Sequence, residues 1–242
     1  MLSILAQAAS GWANLDEFLF IAMPYAVIVL FLFATIRRFI GDKFTYSSYS
    51  SQFLENKHQF YVAVPWHFGI ISLFLGHLIG FLVPRGVLWW NQVPLRLYII
   101  ELGALIFAVS ALFGLVNAVL RRVNNSRVRI VTSRMDFIII LMLLFQVLSG
   151  MYVAVFDRWG TNWFAGVLAP WLWSLFKLNP DISAVRDLPL SVKLHIVGAF
   201  LIFAVFPFTR LVHVLVVPIT YLWRLPQQVI WNRKGRTPSQ QQ

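Results

Sequence analysis

Residues 59–84 read QFYVAVPWHFGIISLFLGHLIGFLVP, and this stretch decides the fold. A helix needs about 20 consecutive, mainly apolar residues to cross the hydrocarbon of a bilayer, and this run supplies them. It contains no Asp, Glu, Lys or Arg, yet it holds two histidines, His67 and His77. A polar group at that depth costs several kcal/mol unless something pairs with it. The rest of the chain must therefore supply partners for two imidazoles.

The 242-residue chain is 59% hydrophobic and 12% charged, with a mean hydropathy of +0.73. Soluble domains carry about a quarter charged residues, so this composition belongs to an integral membrane protein. The net charge of +11 does not point to nucleic acid, because the basic residues lie between apolar runs rather than along a soluble face. Anionic lipid headgroups and membrane orientation account for them. The absence of cysteine excludes disulfides, thiolate-bound iron–sulfur clusters and thiol chemistry within the chain. Histidine is left as the strong ligand for a transition metal or haem iron.

Five apolar spans are expected, at about 18–36, 59–84, 97–120, 135–156 and 192–217, in one all-α transmembrane domain covering 1–242. Pro207 lies inside the last span and is expected to kink rather than break it. Fourteen basic residues fall on one side of this topology: Arg37, Arg38, Lys43 and Lys57; Arg121, Arg122, Arg127, Arg129 and Arg134; Arg210, Arg224, Arg233, Lys234 and Arg236. Six fall on the other: Arg85, Arg96, Arg158, Lys177, Arg186 and Lys193. The positive-inside rule then places the N-terminus outside and the tail 218–242 in the cytoplasm. The opening MLSILAQAAS lacks a basic n-region and reads as a retained outer tail. The connection 157–189, with Trp159, Trp163, Trp171 and Trp173, reads as short helical pieces whose indoles lie at headgroup depth.

The histidine spacing can be turned into geometry. His67 and His77 are about 15 Å apart along a helix axis and differ by about 80° in rotation. His195 and His213 are about 27 Å and five turns apart, on one face of an unbroken helix. Spans two and five are antiparallel, so His67 meets His213 in the cytoplasmic half and His77 meets His195 in the outer half. Two stacked cross-helix imidazole pairs are what two bis-histidine b-type haems require. Arg122 and Arg210 are the candidate cations for haem propionates. The competing reading gives each histidine a hydrogen bond to a neighbouring helix, or makes the four a proton relay in a transporter without haem. His58, beside Lys57, reads as interfacial.

The segments WHFGIISLFLGHLIGFLVPR (66–85) and KLHIVGAFLIFAVFPFTRLVHVLVVPITYL (193–222) resemble the two haem-binding helices of the respiratory nitrate reductase gamma subunit family. RRVNNSRVRIVTSRMDFIII (121–140) is similar to that family's basic loop and fourth helix. The resemblance implies a dihaem cytochrome b that takes electrons from membrane quinol and passes them to an iron–sulfur subunit and a molybdenum catalytic subunit. It implies that His67 and His213 hold the proximal haem, that His77 and His195 hold the distal haem, and that Arg122 meets a propionate. Relatives of that cytochrome serve nitrite-oxidising, heterodisulfide-reducing and sulfite-reducing complexes, which differ in a partner chain rather than in this one.

Quinol is expected beside His77, with Gly76, Arg96 and Glu101 as further contacts. The family carries a lysine near the start of its third helix; residues 86–100 here contain none, and Arg96 is the nearest cation. Glu101 is a candidate proton acceptor, since a carboxyl at membrane depth is expensive without a task; snorkelling or pairing with Arg96 is the bland alternative. Gly76, Gly80 and Gly198 would let a flat ring approach the backbone.

Overall fold

The computed structural model describes residues 15–42, 45–46 and 59–216. His58, Lys43, Lys57 and the basic tail lie outside them. Five helices are long and apolar enough to cross a membrane: α1 (Leu15–Gly41), α2 (Gln59–Leu82), α3 (Pro94–Asn124), α4 (Arg134–Phe156) and α5 (Leu190–Val205, its apolar run reaching Phe208). Among the described residues there is no strand. This is the expected all-α, five-span membrane architecture.

Local chemistry sets the ends. Pro94 opens α3 after an extended Val93, where a missing N–H costs nothing. A capping box opens α4: Ser133 Oγ accepts from Asp136 N at 3.1 Å, and Asp136 Oδ2 accepts from Ser133 N at 2.9 Å. The helices form an arc in the order α2, α3, α4, α5, α1, each packed on the next. The α2–α3 contact is backbone-close. A Cβ on Gly69 would lie 2.5 Å from Phe107 O, and one on Gly114 would lie 2.6 Å from Trp66 N. Ser110 Oγ also donates to the carbonyl of Pro65 at 3.0 Å. This seam fixes α2, and with it the height of His67 and His77.

Two features depart from the sequence expectations. The Trp-rich connection does form short helices, Gly160–Trp163, a π turn Phe164–Leu168, Ala169–Phe176 and Ser183–Arg186. One of its indoles, however, is withdrawn into the protein interior. Trp171 is buried in a core cluster with Phe20, Leu168, Leu175, Val185, Val192 and Ile196. Its Nε1 donates at 3.1 Å to Phe20 O, within the π turn Phe18–Ala22 of α1.

The fifth span is broken, not merely kinked. The α-helix ends at Val205, a 3₁₀ turn covers Phe206–Phe208, and Thr209 is extended (φ −114°, ψ 179°). A second 3₁₀ segment, Arg210–Val216, carries His213. Irregular backbone in a membrane needs donors for its carbonyls, and Arg38 of α1 supplies them. Its Nη1 donates to Pro207 O (2.6 Å) and Thr209 O (2.9 Å), while Nε and Nη2 hold Thr45.

Candidate functional site

The histidines lie where α2 faces α5 across the arc. His67 and His213 meet: their ring centroids are 6.3 Å apart, with planes at 71°. Two imidazoles ligating one metal from opposite sides would have centroids about 6 Å apart, given a metal–nitrogen bond of about 2 Å and roughly 1 Å from nitrogen to ring centre. His67 Nδ1 is 2.7 Å from Ala63 O, and His213 Nδ1 is 2.6 Å from Arg210 O. A carbonyl can only accept, so each Nδ1 carries the proton and each Nε2 keeps its lone pair. That is the tautomer a metal ligand uses, with the second nitrogen anchored on a main-chain oxygen. The pair could hold a haem iron between them.

The five-turn argument behind this pairing does not survive the break at Thr209. The pairing itself does, because the extended residue and the 3₁₀ segment re-aim His213. Around it sits a charged cluster. Arg210 Nε pairs with Asp136 Oδ1 at 2.9 Å, and its Nη2 donates to Val131 O at 3.0 Å. Arg122 Nη1 donates to Ala118 O at 2.9 Å, but its Nε is buried with no hydrogen-bond partner among the described residues. Of the two expected propionate cations, Arg122 thus retains an unused donor, whereas Arg210 is already committed to Asp136.

At the tryptophan-rich end, His77 also donates Nδ1–H to its own helix, at Leu73 O (2.8 Å). Its ring meets Phe164 edge-on, with centroids 5.3 Å apart. His195 lies on α5. Its ring is held by α4: Ser149 Oγ is 2.9 Å from Nδ1, and Gln146 Nε2 is 3.1 Å from Nδ1 and 3.3 Å from Nε2 while donating to His195 O at 3.0 Å. Gly150 makes room for this, since a Cβ there would lie 2.8 Å from His195 Cε1.

The expected quinol contacts separate. A Cβ on Gly76 would meet nothing within 4 Å, so the α2 backbone beside His77 is open there. Gly80 and Gly198 instead admit protein side chains, Phe164 against the first and Gln146 and Phe145 against the second. Arg96 lies over Trp89 and Trp90, 5.6 and 5.1 Å from their ring centroids. Glu101 bonds elsewhere: Oε1 accepts from Thr161 N (2.8 Å) and Thr161 Oγ1 (2.7 Å). Phe164 lies three positions after Thr161, so the short helix Gly160–Trp163 and the π turn that follows link Glu101 to the wall of His77. Asn91 completes the link, donating to Thr161 Oγ1 at 3.0 Å and Asn162 Oδ1 at 2.9 Å.

A family model described as the nitrate reductase gamma subunit matches residues 16–232. The chain belongs to the nitrate reductase gamma subunit family. It is 34% identical to the nitrate reductase gamma chain of Bacillus subtilis over 217 residues, covering 88% of this chain and 96% of that one. It is 31% identical to the respiratory nitrate reductase 2 gamma chain of Escherichia coli (91% and 98% covered), and 28% to the respiratory nitrate reductase 1 gamma chain (89% and 97%). It is a multi-pass bacterial membrane protein and a subunit of a nitrate reductase, associating with other subunits of that enzyme.

Sequence reasoning missed Arg38, Ser149, Gln146 and Thr161. Gln146 and Ser149 carried a signal, as polar side chains inside an apolar span of a membrane helix. Arg38 and Thr161 carried none, since charge at a span end and hydroxyls in a loop are ordinary.

Proposed function

We propose that this chain is the cytochrome b subunit of its nitrate reductase, holding one b haem at His67 and His213 and a second at His77 and His195. The observation that carries the reading is the approach of His67 to His213, with both Nδ1 atoms bonded to main-chain carbonyls and both Nε2 lone pairs free. Apolar surroundings, the exposed His67 and His77 and an unused Arg122 donor suit a large, flat cofactor with anionic side groups. When bound, haem supplies one-electron carriers that connect quinol to an acceptor in a partner subunit.

The remaining roles belong to the chain. Quinol binds beside His77, against the open backbone at Gly76. Glu101, its Oε1 held by Thr161, has Oε2 available to take a quinol proton; Gly160 leaves space beside that oxygen, where a Cβ would stand 3.6 Å away. Arg96 is anchored on Trp89 and Trp90 as the cation of that end. Arg122 and Arg210 stabilise carboxylates at the other end, which faces the cytoplasm by the excess of basic residues. The partners there are an iron–sulfur subunit and a molybdenum catalytic subunit.

The test is a reduced-minus-oxidised spectrum of the purified chain with a haem stoichiometry. Two b haems per chain are expected. His67→Ala and His213→Ala should each lose the same haem, and His77→Ala and His195→Ala the other. A spectrum without b-type α-bands would return the histidines to a proton-relay reading.

A further inference from the structure

Three of the four paired histidines anchor Nδ1 on a main-chain carbonyl of their own segment: His67 on Ala63, His77 on Leu73 and His213 on Arg210. His195 does not. Its Nδ1 lies 2.9 Å from Ser149 Oγ on α4. Ser149 Oγ also donates to Gln146 O at 3.0 Å, which uses its only proton. The hydroxyl oxygen therefore accepts from Nδ1–H, and Nε2 is again the lone-pair nitrogen. Gln146 clamps the same residue by donating to His195 O, and its Nε2 also lies 3.1 Å from Nδ1 and 3.3 Å from the ring Nε2.

We propose that Ser149 is the positioning residue of His195, performing from a neighbouring helix the service that a backbone carbonyl performs for the other three. The inference rests on the haem reading above. A hydroxyl is a weaker acceptor than a helix carbonyl, and it can be removed by mutation. An acceptor at Nδ1 raises the basicity of the ligating nitrogen and favours the oxidised metal. The haem held by His195 is thus tuned through a side chain of α4, and the haem held by His213 through its own backbone.

The experiment is a visible redox titration of the purified chain and of its Ser149→Ala and Ser149→Thr variants, with haem counted in each sample. The haem that disappears in His195→Ala identifies the relevant band. In Ser149→Ala that haem should move to higher potential, or be lost alone, while the other keeps its wild-type value. Ser149→Thr, which retains the hydroxyl, should restore the wild-type potential. Unchanged potentials in Ser149→Ala, an equal shift of both haems, or loss of both would overturn the assignment. Failure of the haem reading itself is distinct, because wild-type protein would then show no haem before any variant is compared.

Discussion

The two ends of the bundle hold a histidine of α2 and a histidine of the fifth span by different means. At the arginine-rich end the backbone does the aiming. Span five breaks, Thr209 is extended, and Arg38 occupies the carbonyls the break exposes, so that His213 turns to within 6.3 Å of the His67 ring. At the tryptophan-rich end α5 is regular, and side chains from elsewhere aim the rings: Ser149 and Gln146 on His195, Phe164 on His77. A site aimed by backbone tolerates little change in its supports. A site aimed by side chains can be adjusted one hydrogen bond at a time.

Removing Arg38 should break the first end most completely. Each buried carbonyl left without a donor costs about 1–3 kcal/mol, and Arg38 serves Pro207, Thr209 and Thr45 together. Arg38→Ala is expected to lose the haem of His67 and His213 and to keep the other, as read by stoichiometry and spectrum. Arg38→Lys offers a point charge instead of a fork and should recover only part of that haem. Retention of both haems in Arg38→Ala would show that the break at Thr209 holds without its clamp.

The opposite end should respond in rate rather than in cofactor content. Glu101→Gln keeps an acceptor for Thr161 but cannot accept a proton as a carboxylate does. Quinol oxidation should fall by about 100-fold or more, the usual weight of a positioned acid or base. Both haems should remain, and quinol affinity should change far less than turnover. An undiminished rate in Glu101→Gln would remove the carboxyl from proton transfer and leave it a strut for the Gly160–Trp163 turn.

The same contrast marks what was legible in the sequence. The spans were legible because twenty-residue apolar runs have few other fates. The pairing of His67 with His213 was legible from span order and depth, although the helical arithmetic behind it assumed a regular helix that Pro207 and Thr209 interrupt. Pro207 gave warning of a distortion but not of its extent, which depends on Arg38 lying within reach on another helix. Trp171 was legible as an aromatic near the interface; its burial was not, because the carbonyl it caps, on Phe20, lies 151 residues away in the sequence. Glu101 was legible as costly, while its partner Thr161 sits 60 residues away in a loop without periodicity. Position along one helix can be read from a sequence; contacts between helices, for residues without a strong pattern, cannot.

The smallest predicted effect probes the side-chain-aimed end by volume alone. Gly150→Ala places a Cβ 3.5 Å from each ring nitrogen of His195 and 2.8 Å from its Cε1, closer than a Cβ approaches a neighbour, so the imidazole must shift. Overpacking of this kind costs about 1–3 kcal/mol in a tight interior. Here the obstacle is a single ring, held by Ser149 and Gln146, and a cost within that range is expected. Both haems should stay bound, the band assigned to His195 should shift or broaden, and the band assigned to His213 should not. Ser149→Ala removes a hydrogen bond without adding volume, and Gly150→Ala adds volume without removing the hydroxyl. If the two variants moved the same band in the same direction, ring orientation would be the controlling variable. Movement in Ser149→Ala alone would assign the control to the hydrogen bond.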